Sequence, residues 1–169
     1  ADPRSYGSGN PGATNVLRSG NKKAALFTLL GDALKGWLAV FAAQQADLGG
    51  TAVGLVALAV FFGHLFPIFL KFRGGKGVAT GAGVLLALDP LLGLAVAVTW
   101  ILTAFTFRYS SLAAVVAAAL APVYVGLGRG MDPLIIVVGI IALALIGKHW
   151  QNLQRLLAGQ ESRIGAKKK

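Results

Sequence analysis

Six apolar stretches separated by short polar connections constrain the fold of this 169-residue chain more than any other feature. They run over about residues 24–46, 51–70, 77–88, 90–107, 110–128 and 133–147. Most of them approach the roughly 17–25 residues that an α-helix needs to cross a bilayer. Because lipid offers no hydrogen-bond partners, a spanning segment must satisfy its own backbone groups, as a helix does. The pattern therefore predicts an all-α fold, a polytopic integral membrane helical bundle with six spans.

The composition supports a membrane protein and argues against several other classes. Charged residues make up 13% of the chain, about half of the ~25% that is typical of soluble domains. The formal net charge of +10 would indicate nucleic-acid binding in a soluble protein. Here the basic residues lie in loops between apolar stretches, as they do in cytoplasmic loops, so we expect no nucleic-acid partner. The chain has no cysteine, which excludes disulfides, thiolate metal sites and a cysteine nucleophile.

The distribution of basic residues decides how the short stretch 77–88 is interpreted. If this stretch crosses the membrane, 14 of the 16 basic residues share one face, whereas the two faces hold eight and seven if it turns back. The positive-inside rule favours crossing and makes the basic face cytoplasmic. The residues on that face are Arg4, Arg18, Lys22, Lys23, Lys71, Arg73, Lys76, Arg108, Lys148, Arg155, Arg163, Lys167, Lys168 and Lys169. The polar clusters described next then all face the cytoplasm.

The first polar cluster is a glycine-rich loop near the N-terminus. Its residues include Gly7, Ser8, Gly9, Asn10, Gly12, Thr14 and Asn15. The glycine spacing matches a dinucleotide-binding fingerprint, but that motif requires a strand–helix–strand unit, which an all-helical membrane chain does not have. As a bare glycine loop it can still bring backbone N–H groups close to a phosphate. A flexible polar loop without function is the alternative.

The second cluster, Gly74-Gly75-Lys76-Gly77, precedes a predicted helix. Backbone donors, the positive end of the helix dipole and one lysine therefore converge on one point. The spacing does not fit a Walker A loop. A tight turn that carries charge only for membrane topology is the alternative.

The third cluster is His149 with Asn152, on a predicted amphipathic helix over 148–158. Residues three apart share one helix face, and Arg155 lies close to it. No second histidine lies at metal-ligand spacing, so we expect neither a metal nor another cofactor. A structural histidine is the alternative.

Charged residues also occur inside the apolar stretches. Asp32 and Lys35 are three residues apart in one span, where charges are costly and usually paired, so we predict a structural ion pair. His64 lies near the cytoplasmic end of its span and is predicted to satisfy a helix end. None of the six acidic residues lies where it would be a convincing general base. Catalysis would then depend on positioning and charge stabilisation.

The order and spacing of these clusters resemble those of one family. The resemblance is carried by Gly7 to Asn15 followed by Arg18, by Gly63-His64-x-Phe66-Pro67 with Phe72-Arg73-Gly74-Gly75-Lys76-Gly77, and by His149-x-x-Asn152-x-x-Arg155 with Glu161. These segments are similar to the three signature motifs of PlsY, the bacterial membrane acyl-phosphate:glycerol-3-phosphate acyltransferases. The resemblance spans residues 4–161.

The resemblance implies acyl transfer from a fatty acyl phosphate to the sn-1 hydroxyl of glycerol 3-phosphate, which gives lysophosphatidic acid and phosphate in the first step of bacterial phospholipid synthesis. The residues expected to be catalytic are Ser8, Arg18, Lys76, His149 and Asn152. Those expected to bind substrate or phosphate are Gly7, Gly9, Asn10, Thr14, Asn15, Gly74, Gly75, Gly77 and Ser111. Structural polar roles are expected for Asp32, Lys35, His64 and Glu161.

The resemblance also implies how the protein is organised. The family has seven spans, so we expect a first helix before Arg4 and a single membrane acyltransferase domain, residues 1–169, that lacks this helix. We expect a multi-pass protein of the bacterial inner membrane, surrounded by membrane lipid, with catalytic loops in the cytoplasm. We further expect a monomer, with the enzyme that forms acyl phosphate as a candidate partner.

Two other functions remain open from the sequence. A small phosphate or organophosphate transporter would use the same basic loops and the Asp32–Lys35 pair. Transporters tend to show internal repeats and midplane sites between broken helices, and neither is apparent here. A non-catalytic lipid-binding scaffold would not need a lysine-bearing glycine turn and a His/Asn pair on the same face.

Overall fold

The computed structural model describes residues 2–165, which form helices and connecting turns without any strand. Within these residues the α-helices are α1 (Ala13–Leu17), α2 (Lys22–Gln45), α3 (Gly50–Leu65), α4 (Val78–Leu88), α5 (Pro90–Phe107), α6 (Ser110–Arg129), α7 (Leu134–Lys148) and α8 (Trp150–Leu157). Two short 3-10 turns, Pro3–Ser5 and Ile68–Leu70, precede α1 and follow α3. The predicted all-α fold is confirmed.

The chain divides into two compact units, Ala1–Pro90 and Leu91–Lys169. The sequence does not indicate this division, and the single domain over 1–169 stays a prediction. Residue 1 and the predicted basic tail Lys167–Lys169 lie outside the described residues.

Four helices in the described part of the chain are long and apolar enough to cross a membrane: α2, α3 with its 3-10 extension to Leu70, α5 and α6. Helices α7 and α8 pass the same test only together, and they are bent by 58° where they meet. Helix α4 has 11 residues, a rise of about 16 Å against the ~30 Å of a hydrocarbon core. The multi-span helical architecture is confirmed, whereas the count of six spans stays a prediction because α4 is too short to decide it.

In the first unit, α2 and α4 pack closely because glycines lie where they meet. A side chain added at Gly36 of α2 would collide with the backbone oxygen of Thr80, and one at Gly83 of α4 with the backbone of Ala33. Small residues allow this kind of close helix packing in membranes. The close packing of α2 on α4 therefore depends on Gly36 and Gly83. The contact between Gly36 and Thr80 packs the first turn of α4 against α2.

In the second unit, α6 packs on α7 through a face of small residues. The buried side chains of α6 are mainly alanines, among them Ala113, Ala117 and Ala121. Large apolar side chains elsewhere on these helices are exposed, for example Leu127 of α6 at 81% and Leu143 of α7 at 74%. A helix surface of this kind suits contact with lipid.

Candidate active-site residues

The N-terminal loop is organised around the side-chain amide of Asn15 in α1. Its Oδ1 accepts a hydrogen bond from the backbone N–H of Ser8 at 2.9 Å, and its Nδ2 donates to the carbonyl oxygens of Pro3 at 2.7 Å and Tyr6 at 3.2 Å. Gly7 has a φ of +60°, in a region that other residues rarely adopt, and a side chain there would collide with the Asn15 amide. The glycine and the amide therefore fix the loop together.

The predicted catalytic and substrate-binding residues near this loop differ in accessibility. Ser8, Thr14 and Arg18 are exposed, and Asn10 is half-buried, so a substrate could reach them. Asn15 is only 1% exposed, and both donors of its amide already serve backbone carbonyls. The Asn15 side chain therefore holds the loop, and its predicted contact with substrate stays a prediction.

The second cluster forms the turn that leads into α4. Gly77 is the N-cap with a φ of +84°, and no described side chain caps this helix end. A side chain at Gly77 would collide with Phe61, and one at Gly74 with the backbone oxygen of His64, so the turn packs directly on the end of α3. Lys76 is half-buried within the turn. The unbonded N–H groups of the first helical turn and the lysine together form a candidate anion site.

Two residues before this turn adopt an unusual backbone conformation that the sequence did not reveal. Lys71 and Phe72 have φ angles of +52° and +60°, which costs a non-glycine residue about 1–2 kcal/mol. Backbone hydrogen bonds from Phe72 to Pro67 at 3.0 Å and from Gly74 to Leu65 at 3.2 Å close the segment. Such strain persists only when the surroundings impose it, so the segment directly ahead of the glycine turn is tightly held.

The predicted intramembrane ion pair is present in α2. The Nζ of Lys35 lies 2.6 Å from Oδ1 of Asp32. The same Nζ lies 2.7 Å from Nδ1 of His64 in the last turn of α3. His64 therefore joins the ion pair, a contact that residue spacing within one helix could not indicate.

In the second unit, the carboxylate of Glu161 connects three side chains. Oε1 accepts hydrogen bonds from Ser111 Oγ at 2.8 Å and Asn152 Nδ2 at 2.7 Å, and Oε2 accepts one from Arg155 Nε at 2.7 Å. The Glu161 side chain is 4% exposed. The single hydroxyl proton of Ser111 is used here, so its predicted substrate contact stays a prediction. Glu161 thereby ties the start of α6 to α8.

The environment of Glu161 also lowers its pKa. Burial alone would raise the pKa of this carboxyl, but the hydrogen bonds from Asn152, Arg155 and Ser111 outweigh it and hold the pKa below its ordinary value. The folded state therefore binds fewer protons than the unfolded state at acid pH.

We predict that this part of the stability is fully present above about pH 4.5 and is lost as the pH falls through the lower pKa of the folded state. Thermal unfolding of the detergent-solubilised protein across this range would measure it. Glu161→Gln should be less stable at neutral pH and should lack this acid-dependent component. An identical acid profile for both proteins would contradict the prediction.

His149 lies at the bend between α7 and α8 rather than within a helix. It ends α7 and serves as the N-cap of α8, so the predicted amphipathic helix 148–158 is found over Trp150–Leu157 with His149 at its N-terminal end. Its ring is 4% exposed, and Nδ1 lies 2.8 Å from the carbonyl oxygen of Leu145. Because a carbonyl only accepts, Nδ1 carries a proton, and Nε2 is the basic nitrogen of the neutral ring.

The segment after α8 returns to the connection between α5 and α6. The backbone N–H of Ile164 donates to the carbonyl of Arg108 at 2.7 Å, and the Arg108 guanidinium donates to the carbonyl of Ile164 at 2.9 Å. Arg163 donates to the Tyr109 hydroxyl at 3.2 Å and lies over its ring. This pairing brings Glu161 to Ser111, and no motif spacing could have predicted it.

The side chains in residues 2–165 include no group of three or more His, Asp or Glu placed to hold a metal ion. Besides the carboxylates of Asp32 and Glu161, the polar groups described above include hydroxyl and amide donors, lysine and arginine cations, and backbone N–H groups. Such groups are suited to bind phosphate.

Long apolar helices joined by polar, basic turns define a helical integral membrane protein. A family model described as glycerol-3-phosphate acyltransferase matches residues 1–159. A glycerol-3-phosphate acyltransferase of Dechloromonas aromatica (strain RCB) is 73% identical over 169 residues, which covers 100% of this chain and 85% of that protein.

Two crystal structures of PlsY, an integral membrane glycerol 3-phosphate acyltransferase, are similar to the whole fold. The glycerol 3-phosphate form matches with a TM-score of 0.91 and 35% identity over 98% of this chain and 83% of that one. The lysophosphatidic acid form matches with a TM-score of 0.87 and 34% identity over 94% and 81%. The chain belongs to the PlsY family of glycerol-3-phosphate acyltransferases.

Proposed function

We propose that this enzyme transfers the acyl group of a fatty acyl phosphate to the sn-1 hydroxyl of glycerol 3-phosphate. The family supplies the acceptor and the reaction class. Related PlsY structures in glycerol 3-phosphate and lysophosphatidic acid forms support the same acceptor and product here. The choice of an acyl phosphate as donor is the further step of the proposal.

The observation that carries the proposal is the turn Gly74–Gly77 at the start of α4. It combines a lysine with a helix N-terminus that no described side chain caps, and both favour a bound phosphate. Glycine at these positions is required by packing against α3, so the backbone is held ready for an anion. A donor and an acceptor that both carry phosphate suit such a turn.

The proposed reaction needs little proton transfer from the protein. The acceptor hydroxyl oxygen forms an ester bond to the acyl carbon, the bond between that carbon and the phosphate oxygen breaks, and inorganic phosphate leaves. The hydroxyl proton passes to an oxygen of the departing phosphate. Lys76 and Arg18 stabilise the negative charge that develops on the leaving phosphate, and Ser8 contributes a hydrogen bond.

The donor is tested by supplying glycerol 3-phosphate with palmitoyl phosphate, palmitoyl-CoA or palmitoyl acyl carrier protein to the purified protein in detergent. We expect lysophosphatidic acid and inorganic phosphate in equal amounts with palmitoyl phosphate alone. His149→Ala should lower the rate without changing the choice of donor. Efficient turnover with palmitoyl-CoA or acyl carrier protein would overturn the proposed donor while leaving the family activity intact.

We also propose that the enzyme lies in the bacterial inner membrane with its catalytic loops in the cytoplasm. The basic loops support this orientation through the positive-inside rule. The absence of cysteine allows single cysteines to be labelled without background. A membrane-impermeant thiol reagent applied to intact spheroplasts should label Arg129→Cys and not Arg163→Cys, and the reverse pattern would refute the orientation.

A further inference from the structure

The ion pair of α2 and the histidine of α3 form one cluster in the first unit. Lys35 Nζ lies 2.6 Å from Asp32 Oδ1 and 2.7 Å from His64 Nδ1, while His64 Nδ1 and Asp32 Oδ1 are 3.5 Å apart. The His64 side chain is 9% exposed, the Asp32 side chain 18% and the Lys35 side chain 43%. The lysine thus links the carboxylate on its own helix to a ring on the next helix.

The contact with Lys35 determines which nitrogen of His64 carries the proton. An ammonium group has three donors and no acceptor, so the Nδ1 atom that faces it must accept. In the neutral ring the proton then lies on Nε2. Among residues 2–165, the hydrogen-bond and charge partners of the His64 ring are Lys35 and Asp32, and both meet it at Nδ1.

The Nε2 edge of the ring lies against the glycine turn. A side chain added at Gly75 would collide first with Nε2 of His64 and then with Cε1 at 2.8 Å. Gly74 lies against the backbone oxygen of the same residue. The Nε2 donor of His64, a side chain more than nine-tenths buried, therefore lies beside the backbone of the turn. A side chain at Gly75 would fill the space that this donor occupies.

We propose that His64 is a further phosphate-binding residue of the Gly74–Gly77 turn, donating its Nε2–H to the substrate phosphate. Lys35, itself held by Asp32, is the positioning residue that keeps this proton on Nε2. The inference rests on the proposed role of the turn as the phosphate site. The Asp32–Lys35 pair then has a role in substrate binding as well as in structure.

Two isosteric substitutions separate this role from simple packing. In His64→Gln the side-chain amide can place an N–H near the position of Nε2, whereas in His64→Asn the amide lies near Nδ1 and the donor at the turn is lost. We expect His64→Asn to raise the KM for a phosphate-bearing substrate about tenfold or more, the usual effect of losing a hydrogen bond to a charged group. His64→Gln should retain most of the affinity.

The role of Lys35 is tested in the same assay. Lys35→Met should raise the KM about fivefold, in line with the loss of one ordinary hydrogen bond, with a smaller change in kcat. Lys35→Arg should restore the KM to near that of the unaltered protein, because a cation still faces Nδ1. A structural role alone would instead lower the thermal stability and kcat together and leave the KM unchanged, and that result would overturn the proposal.

A direct measurement of the tautomer does not depend on activity. The chain has two histidines, and the structure gives them opposite protonated nitrogens, Nε2 in His64 and Nδ1 in His149. Nitrogen-15 spectra of the imidazole rings at pH 8 should show one ring of each type, with His64→Gln assigning the signals. An Nδ1–H signal for His64 would refute the inference. If Lys76→Ala leaves both kcat and KM unchanged, the phosphate site itself is misplaced, and the proposed role of the turn fails rather than the role of His64.

Discussion

Replacing Lys76 with alanine is expected to lower kcat/KM for lysophosphatidic acid formation by about 100- to 1000-fold, the usual effect of removing one preorganised donor to developing charge. The half-buried lysine lies in the turn at the start of α4, where no described side chain caps the helix. Its ammonium would therefore be a principal charge opposite a departing phosphate. Initial rates with palmitoyl phosphate and glycerol 3-phosphate varied separately would measure the loss.

A matched control is Lys23→Ala, which removes an exposed lysine from the first turn of α2. This change should leave kcat/KM within about twofold, because screened surface charges contribute little. Thermal unfolding should be nearly the same for both variants and for the unaltered protein. Equal activity losses in the two lysine variants would show that net charge, rather than the turn, supports the reaction.

Among the substitutions considered, Glu161→Ala is expected to lower the free energy of unfolding the most. The substitution leaves the buried Ser111 and Asn152 donors without their acceptor and removes the partner of Arg155. Leaving such groups unsatisfied costs about 2–4 kcal/mol in the free energy of unfolding. Intrinsic tryptophan fluorescence during heating in detergent would report the loss as a lower Tm, and activity should fall in parallel.

Two further variants test whether the lower Tm is due to loss of the Glu161 carboxylate. Glu161→Gln keeps the shape and can still accept from one neighbour, so its Tm should lie between those of the alanine variant and the unaltered protein. Asp47→Asn removes a different carboxylate in an exposed turn at a φ of +52°, which asparagine tolerates well. It should leave the Tm unchanged. A Tm for Glu161→Ala equal to that of the unaltered protein would mean that the carboxylate is not needed to hold α6 and α8.

Features that depend on local spacing were predictable from the sequence. The apolar stretches located the long helices to within a few residues, and the spacing of Asp32 and Lys35 gave an ion pair that the structure contains. The glycine turn was predicted to precede a helix, and α4 begins at Val78. In each case the residues that interact are neighbours in the chain.

Features that depend on tertiary contacts were not predictable. His64 is 29 residues from Lys35, and Ser111 is 50 residues from Glu161, so no helical period connects them. The burial of Asn15 depends on how the preceding loop folds over α1, which local spacing does not reveal. The length of α4 matches the predicted stretch 77–88, and whether this helix crosses the membrane stays a prediction.

The pairing of Arg108 with Ile164 has a practical consequence for protein engineering. Affinity tags and fluorescent reporters are commonly fused to the last residues of membrane proteins, often after trimming a tail judged dispensable. Here any trimming that reaches Ile164 would remove both hydrogen bonds that hold the segment beside Arg108 and would loosen Glu161 from Ser111. A fusion joined beyond Gly165 through a flexible linker would preserve them, so the choice of junction alone could decide whether an expressed protein is active.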